Sequence, residues 1–247
     1  MGYPTTPRRH AILLIGPTGS GKSSFVKSLT KEHVDIEHDV NPSPKATSEC
    51  KAYTVKQDVY GQLTEFGIID TPGFDGSPES DLNTIQKIAR MLNEIRSQFE
   101  ICGAIYFHRI TDRRFGGTAK KSLTIAKNIC GRDFFPYVAA MTTMWDTIEQ
   151  GKYEEYEELN RQLETLGGYL RLSETGPTIF KRLRNDKESC REVLNHFGLL
   201  AMTETPPQLL LAKESRKTGL SRNGIGKTTA GKEILAKSSV GIPCRIV

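Results

Sequence analysis

The chain has 247 residues, 37% of them apolar, and 34 lysines and arginines against 29 aspartates and glutamates, a net charge of +5. That length holds one α/β domain with a sizeable core plus a further segment. No run of about 18 apolar residues occurs, which excludes a membrane-spanning helix, and the first residues lack the apolar core of a signal peptide. Cys50, Cys102, Cys130, Cys190 and Cys244 are odd in number and widely spaced. They offer no zinc spacing and fit a reducing compartment, so the expectation is a cytoplasmic protein. The charge is local. Residues 213–237 carry Lys213, Arg216, Lys217, Arg222, Lys227, Lys232 and Lys237 against Glu214 and Glu233, which accounts for the whole surplus. A neutral body argues against nucleic acid as a partner, while a basic tail suits weak attraction to an anionic membrane surface.

Residues 1–9 form an arm bearing proline and arginine, and an apolar strand follows over 10–15. It feeds Gly16-Pro17-Thr18-Gly19-Ser20-Gly21-Lys22-Ser23, then Ser24 and a helix predicted over 22–31. This is a complete G-x-x-x-x-G-K-[ST] phosphate loop. Its glycines let backbone N–H groups curl around a polyphosphate, Lys22 reaches the outer phosphates and Ser23 ligates Mg²⁺. The pattern implies a nucleoside triphosphate site in which Lys22 also supplies catalytic charge. Residues 32–49 are polar, contain Pro42 and Pro44, and read as a first switch segment.

Alternation over 50–55 and 62–69 predicts two strands joined near Tyr60-Gly61 as a hairpin. The second delivers Asp70 to the sheet edge, followed by Thr71-Pro72-Gly73. A carboxylate there holds Mg²⁺ through water, and the Gly73 N–H is placed to meet a γ-phosphate. A second switch covers 73–81. A helix is predicted over 82–99 from Ile85, Ile88, Ala89, Leu92, Ile95 and Phe99, then a buried strand over 102–110 and a helix ending at Cys130.

A further strand, Tyr137 to Thr143, ends in Thr143-Met144-Trp145-Asp146. That sequence occupies the place of a guanine-reading element. The Asp146 oxygens accept from guanine N1–H and N2–H, whereas adenine offers an acceptor at N1 and no 2-amino group. Met144 stands where a cation usually flanks the base. Trp145 either stacks beside the base or packs in the interior. A helix over 147–166, a strand over 177–183 and a helix over 187–197 follow. Between the last two, Asn185 either contacts guanine O6 or caps the helix. Alternating strands and helices imply a three-layer α/β fold: a mostly parallel sheet with one antiparallel strand and helices on both faces. In the tail, Asn223 to Thr229 imitates a phosphate loop, but Ser221 replaces the first glycine and no strand precedes it. It reads as a flexible hinge before a short basic helix.

The segments GPTGSGKSS, ATSEC, DTPGFDG and TTMWD, in that order, resemble the septin-like branch of phosphate-loop GTPases over roughly residues 10–200. That branch includes septins, chloroplast import receptors and immune-associated nucleotide-binding proteins, and the chain looks most like short fungal G-domain proteins. The resemblance implies GTP or GDP with Mg²⁺ as ligand, and a homodimer across the nucleotide face. It selects Thr47 as the metal-closing hydroxyl of the first switch; Thr54, the competitor, lies inside an alternating strand. It implies a dimer-supplied charge for which Arg109 is the candidate, beside the plainer reading of a strand-end cation. Phe74 replaces the glutamine that orients water in the best-known small GTPases, so unassisted hydrolysis is expected on the order of 10⁻⁴–10⁻³ s⁻¹. Two alternatives stay open: a GTP-binding scaffold without significant hydrolysis, and a phosphate-loop kinase, for which Arg113-Arg114 is a thin lid. The expected organisation is an arm over 1–9, a GTPase domain over 10–200, and a basic, partly disordered extension over 201–247.

Overall fold

A computed structural model describes residues 9–30, 47–112, 117–165, 180–182 and 187–238. Six strands form one sheet in the order β2-β3-β1-β4-β5-β6. They are β1 (Arg9–Ile15), β2 (Lys51–Val59), β3 (Gln62–Asp70), β4 (Phe99–Arg109), β5 (Val138–Thr143) and β6 (Phe180–Arg182). Every pairing is parallel except β2 with β3, a hairpin whose register runs from Lys51↔Asp70 to Val59↔Gln62. The expected fold class is the one found. Parallel strands buried on both faces need continuous apolar runs, and Ala11 to Ile15 and Cys102 to Phe107 supply them.

Two apolar cores flank the sheet. On one face, α1 (Lys22–Thr30) and α5 (Lys187–Thr203) bury Phe25, Val26, Leu29, Cys190, Val193, Leu194 and Phe197 against Ile12, Leu14, Phe66 and Ile105. On the other, α2 (Pro78–Ile95) and α3 (Gly117–Cys130) bury Ile85, Ile88, Leu92, Leu123 and Ile129 against Leu13, Ile69, Ala104 and Ala140. A small third cluster joins Ile110 and Trp145 to Tyr156 of α4 (Tyr153–Thr165).

Several boundaries differ from the sequence reading. Helix α2 starts at Pro78, whose fixed φ suits the first helical turn, and ends at Ile95, leaving Phe99 to open β4. Helix α4 starts six residues later than expected because Gly151 turns with φ +92°. Helix α5 extends to Thr203.

The larger correction concerns the C-terminal extension. Residues 210–238 form α6 (Leu210–Thr218), α7 (Arg222–Gly226) and α8 (Thr229–Ser238), which pack on α2 and α3. Leu209, Leu211, Ile225, Ala230 and Ile234 are fully or almost fully buried in the same core as the sheet. The Gln86 side chain donates to the Leu220 carbonyl at 2.8 Å, and Arg222 meets Glu79 at 3.3 Å. The segment read as a hinge is thus helical and packs on the main core. The first switch before Thr47, Arg113-Arg114, Asn185 and Cys244 lie outside the described residues. Among the described residues no helix is long and apolar enough to cross a membrane.

Candidate nucleotide site

All of the central strands deliver their C-terminal ends to one edge, and the charged residues collect there. The chain leaves β1 at Ile15 and turns through Gly16–Gly21 into α1. Gly21 has φ +93°, a conformation a side chain would resist, and Thr143 closes in from behind it. The Thr143 hydroxyl donates to the Ser20 carbonyl at 2.8 Å, so the end of β5 braces the loop from below. Thr143 therefore touches the phosphate loop directly. Ser20 is buried, while Thr18, Gly19 and Ser24 face solvent.

Lys22 opens α1 and is 5% exposed. Its ammonium donates back to the carbonyls of Gly16 at 3.2 Å and Pro17 at 3.0 Å, which fixes Nζ over the loop. Burial pushes its pKa down to about 8, opposed by the charge of Asp70. Beside it three oxygens converge. The Ser23 hydroxyl donates to Asp70 Oδ2 at 2.6 Å, and Thr47 Oγ1 lies 2.9 Å from Ser23 Oγ and 3.5 Å from Asp70 Oδ2. Asp70 is 2% exposed and its Oδ1 has no well-formed hydrogen bond. Burial raises the carboxyl pKa, against the Ser23 hydroxyl and the Lys22 charge, which lower it. Two hydroxyls and an under-satisfied carboxylate are hard oxygen donors of the kind a small divalent cation takes. The donor set fits Mg²⁺ with Ser23 and Thr47 as ligands and Asp70 beside them. Thr54, the competing hydroxyl, sits within β2 with Gly67 opposite it.

The second switch begins against the phosphate loop. The Phe74 N–H donates to Gly16 O at 3.2 Å, and the Thr18 N–H donates to Phe74 O at 3.1 Å. A methyl at Gly73 would lie 2.3 Å from Thr18 Cα, so only glycine allows this approach. Phe74 is 1% exposed and packs with Leu82 and Ile85 in the core. Its ring anchors the switch and does not face the loop. Fully buried Asp81 holds the other end: its carboxylate accepts from the N–H groups of Asp75 and Gly76, and Lys121 pairs with it at 3.4 Å. Lys87 donates to the Ser48 carbonyl at 2.6 Å and pairs with Glu49, tying α2 to the end of the first switch. Neither Asp81 nor Lys87 was singled out from the sequence; Asp81 read there as the end of the second switch and Lys87 as an ordinary polar position of a helix.

Arg109, at the end of β4, is held by Asp112 at 3.0 Å, and its guanidinium reaches over the loop to within 3.8 Å of where a Gly19 side chain would start. Its neighbour His108 is buried, and burial lowers its pKa to about 4, so the imidazole is neutral at physiological pH. At the end of β5, Met144 adopts a left-handed φ of +67° and a short 3₁₀ turn carries Trp145 and Asp146. Trp145 is 5% exposed, packs with Ile110 and Tyr156, and donates to the Thr142 hydroxyl at 3.1 Å. The indole packs in the interior and pins the turn. Asp146 stands exposed beside it. The apolar groove lined by Leu92, Phe99, Pro206 and Leu209 opens at the opposite edge of the sheet, away from these groups.

Residues 11–125 match the sequence model of the family described as 50S ribosome-binding GTPase. The curated relatives are partial matches. Human interferon-induced protein 44-like is 40% identical over 75 residues, 29% of this chain and 17% of that protein. A probable FAD-binding monooxygenase, ltbD, of Aspergillus luteorubrus is 32% identical over 98 residues, 38% of this chain and 20% of that protein. The chain thus spans a fifth or less of the curated relatives it matches. Among solved structures, Toc33 of Arabidopsis thaliana covers 81% of this chain and 87% of its own at 18% identity, with a TM-score of 0.56. Toc33 structures include complexes with Mg²⁺ and GMPPNP and with GDP and Mg²⁺. The chain has the fold of a phosphate-loop GTPase domain, and its first half carries that family's sequence pattern.

Proposed function

We propose that this protein is a guanine-nucleotide switch of the septin-like kind, which binds Mg²⁺·GTP and hydrolyses it slowly to GDP. The observation that carries the reading is the Ser23–Thr47–Asp70 oxygen cluster beside the buried Lys22. A bound Mg²⁺ would supply the positive charge that offsets the charge developing on the phosphates during transfer. Ser23 and Thr47 would hold it and Asp70 would orient it, while Lys22 balances the β- and γ-phosphates and backbone N–H groups from Gly19 to Ser24 cradle the chain of phosphates. Asp146 reads the guanine edge.

Thr47 and Gly73 belong to the two switch segments, and both meet where the γ-phosphate is expected. Loss of that phosphate would release both, with Lys87 and Asp81 carrying the change to α2. Phe74 is committed to the core and cannot orient water, so completion of the site is assigned to Arg109 supplied across a homodimer. The same residue favours the second reading, a GTP-binding scaffold without significant turnover. Single-turnover hydrolysis at low and high protein concentration separates them. A rate that rises with concentration and is lost in Arg109→Ala supports the switch; a negligible rate at both supports the scaffold. Asp146→Asn is expected to move preference from guanine toward xanthine nucleotides, and retained GTP preference in competition binding would remove the assignment of Asp146.

A further inference from the structure

The basic residues of the C-terminal helices are sorted onto one surface. In α6 the buried positions are Leu211 and Ser215, one turn apart, and Lys213, Arg216 and Lys217 occupy the opposite arc. In α8 the buried positions are Ala230, Gly231 and Ile234, and Lys232, Leu235 and Ala236 lie outside. Both buried stripes join the core formed with α2 and α3, so each outer arc faces away from that core, to solvent. Helix α7 and its C-cap add exposed Arg222 and Lys227, and α3 adds Lys120.

Acidic side chains cancel only part of this charge, Glu79 of α2 pairing with Arg222. Glu214 is half-buried, and the N–H and hydroxyl of Thr229 donate to it at 2.7 and 2.6 Å, so its carboxylate is spent capping α8. Glu233 is half-buried as well. Arg222 reaches Glu79, and Arg216 donates to the neutral Gln208 amide. Among the described residues from 209 to 236, no carboxylate is fully exposed.

We propose that this face docks on an anionic lipid surface. Lysines, compact charges on flexible stems, suit a diffuse array of headgroup phosphates and carboxylates better than a fixed bidentate site. Leu235 is 43% exposed on the same arc as Lys232, where a bilayer interface would accept it. Residues 205–247 contain no aromatic side chain, so the face offers no platform on which nucleic-acid bases could stack. Each cation near such a surface contributes roughly a fivefold factor to partitioning, and salt screens it.

The test is co-sedimentation of the full chain, without nucleotide, with phosphatidylcholine vesicles that contain or lack phosphatidylserine. Binding to the phosphatidylserine vesicles alone, lost in high salt, is the expected result. The triple variant K213Q/K217Q/K232Q should lose roughly 100-fold in partitioning, with its melting temperature unchanged because all three side chains are exposed. Equal binding to both vesicle types, or full binding by the triple variant, overturns the proposal. So does absence of vesicle binding, and tight binding to duplex RNA in that case would assign the face to nucleic acid.

Discussion

Lys22 shows how one buried charge links folding, protonation and ligand binding. Its pKa lies near 8 in the free protein because burial disfavours the ammonium, and a bound polyphosphate would restore the proton. The folded value is depressed below that of the unfolded chain. Lys22 therefore costs stability below about pH 8, where the buried side chain must be charged, and the cost fades between pH 8 and the ordinary lysine range. Binding follows the opposite sign: GTP affinity should fall as pH rises through 8, with proton uptake on binding above it. Calorimetric titration at pH 8.5 in buffers of different ionisation enthalpy checks this, and identical heats in both buffers would contradict it. That the phosphate loop, Asp70 and Asp146 share one sheet edge was legible in the sequence, because each lies at or just past the end of a strand. Trp145 was not, since a single indole beside a strand end serves stacking and packing equally well in one dimension. Phe74 was legible only by what it lacks; that it anchors the second switch in the core required the fold.

At the scale of elements, the C-terminal helices teach most. Their lysines and glycines resemble a solvated tail, and the apolar positions that bind them are sparse: Leu211, Ile225, Ala230 and Ile234. Short helices carry weak periodicity, so the pattern is readable only once α2 and α3 present a complementary apolar face. Strands β1 and β4 were legible as continuous apolar runs and β2 and β3 as alternation, whereas helix ends shifted by several residues where Pro78 and Gly151 act locally. Because Ile234 is fully buried in the main core, Ile234→Ala should cost about 2–4 kcal/mol of unfolding free energy. Denaturant titration followed by both tryptophan fluorescence and circular dichroism would show one transition moved to lower denaturant. An unchanged midpoint would mean that α8 is detached. The same packing has a functional corollary: α2 holds Ser48 and Glu49 through Lys87, Asp75 and Gly76 through Asp81, and the tail through Gln86 and Glu79.

Over the whole molecule, the sheet edge gathers a phosphate loop, an oxygen cluster for a divalent cation, an exposed carboxylate for the base and a cation over the loop, while the basic helices lie on another surface. On the proposals made above, one face takes nucleotide and a second copy, and another an anionic support. The central claim is that the first face recognises Mg²⁺·GTP through its base and its γ-phosphate. Isothermal titration with GTP, GDP and ATP in Mg²⁺, with light scattering on each complex, tests it most directly. Both guanine nucleotides should bind and ATP should not, and GTP should support a dimer that GDP does not. Equal affinity for ATP would contradict it, since Thr143 to Asp146 would then not read the base.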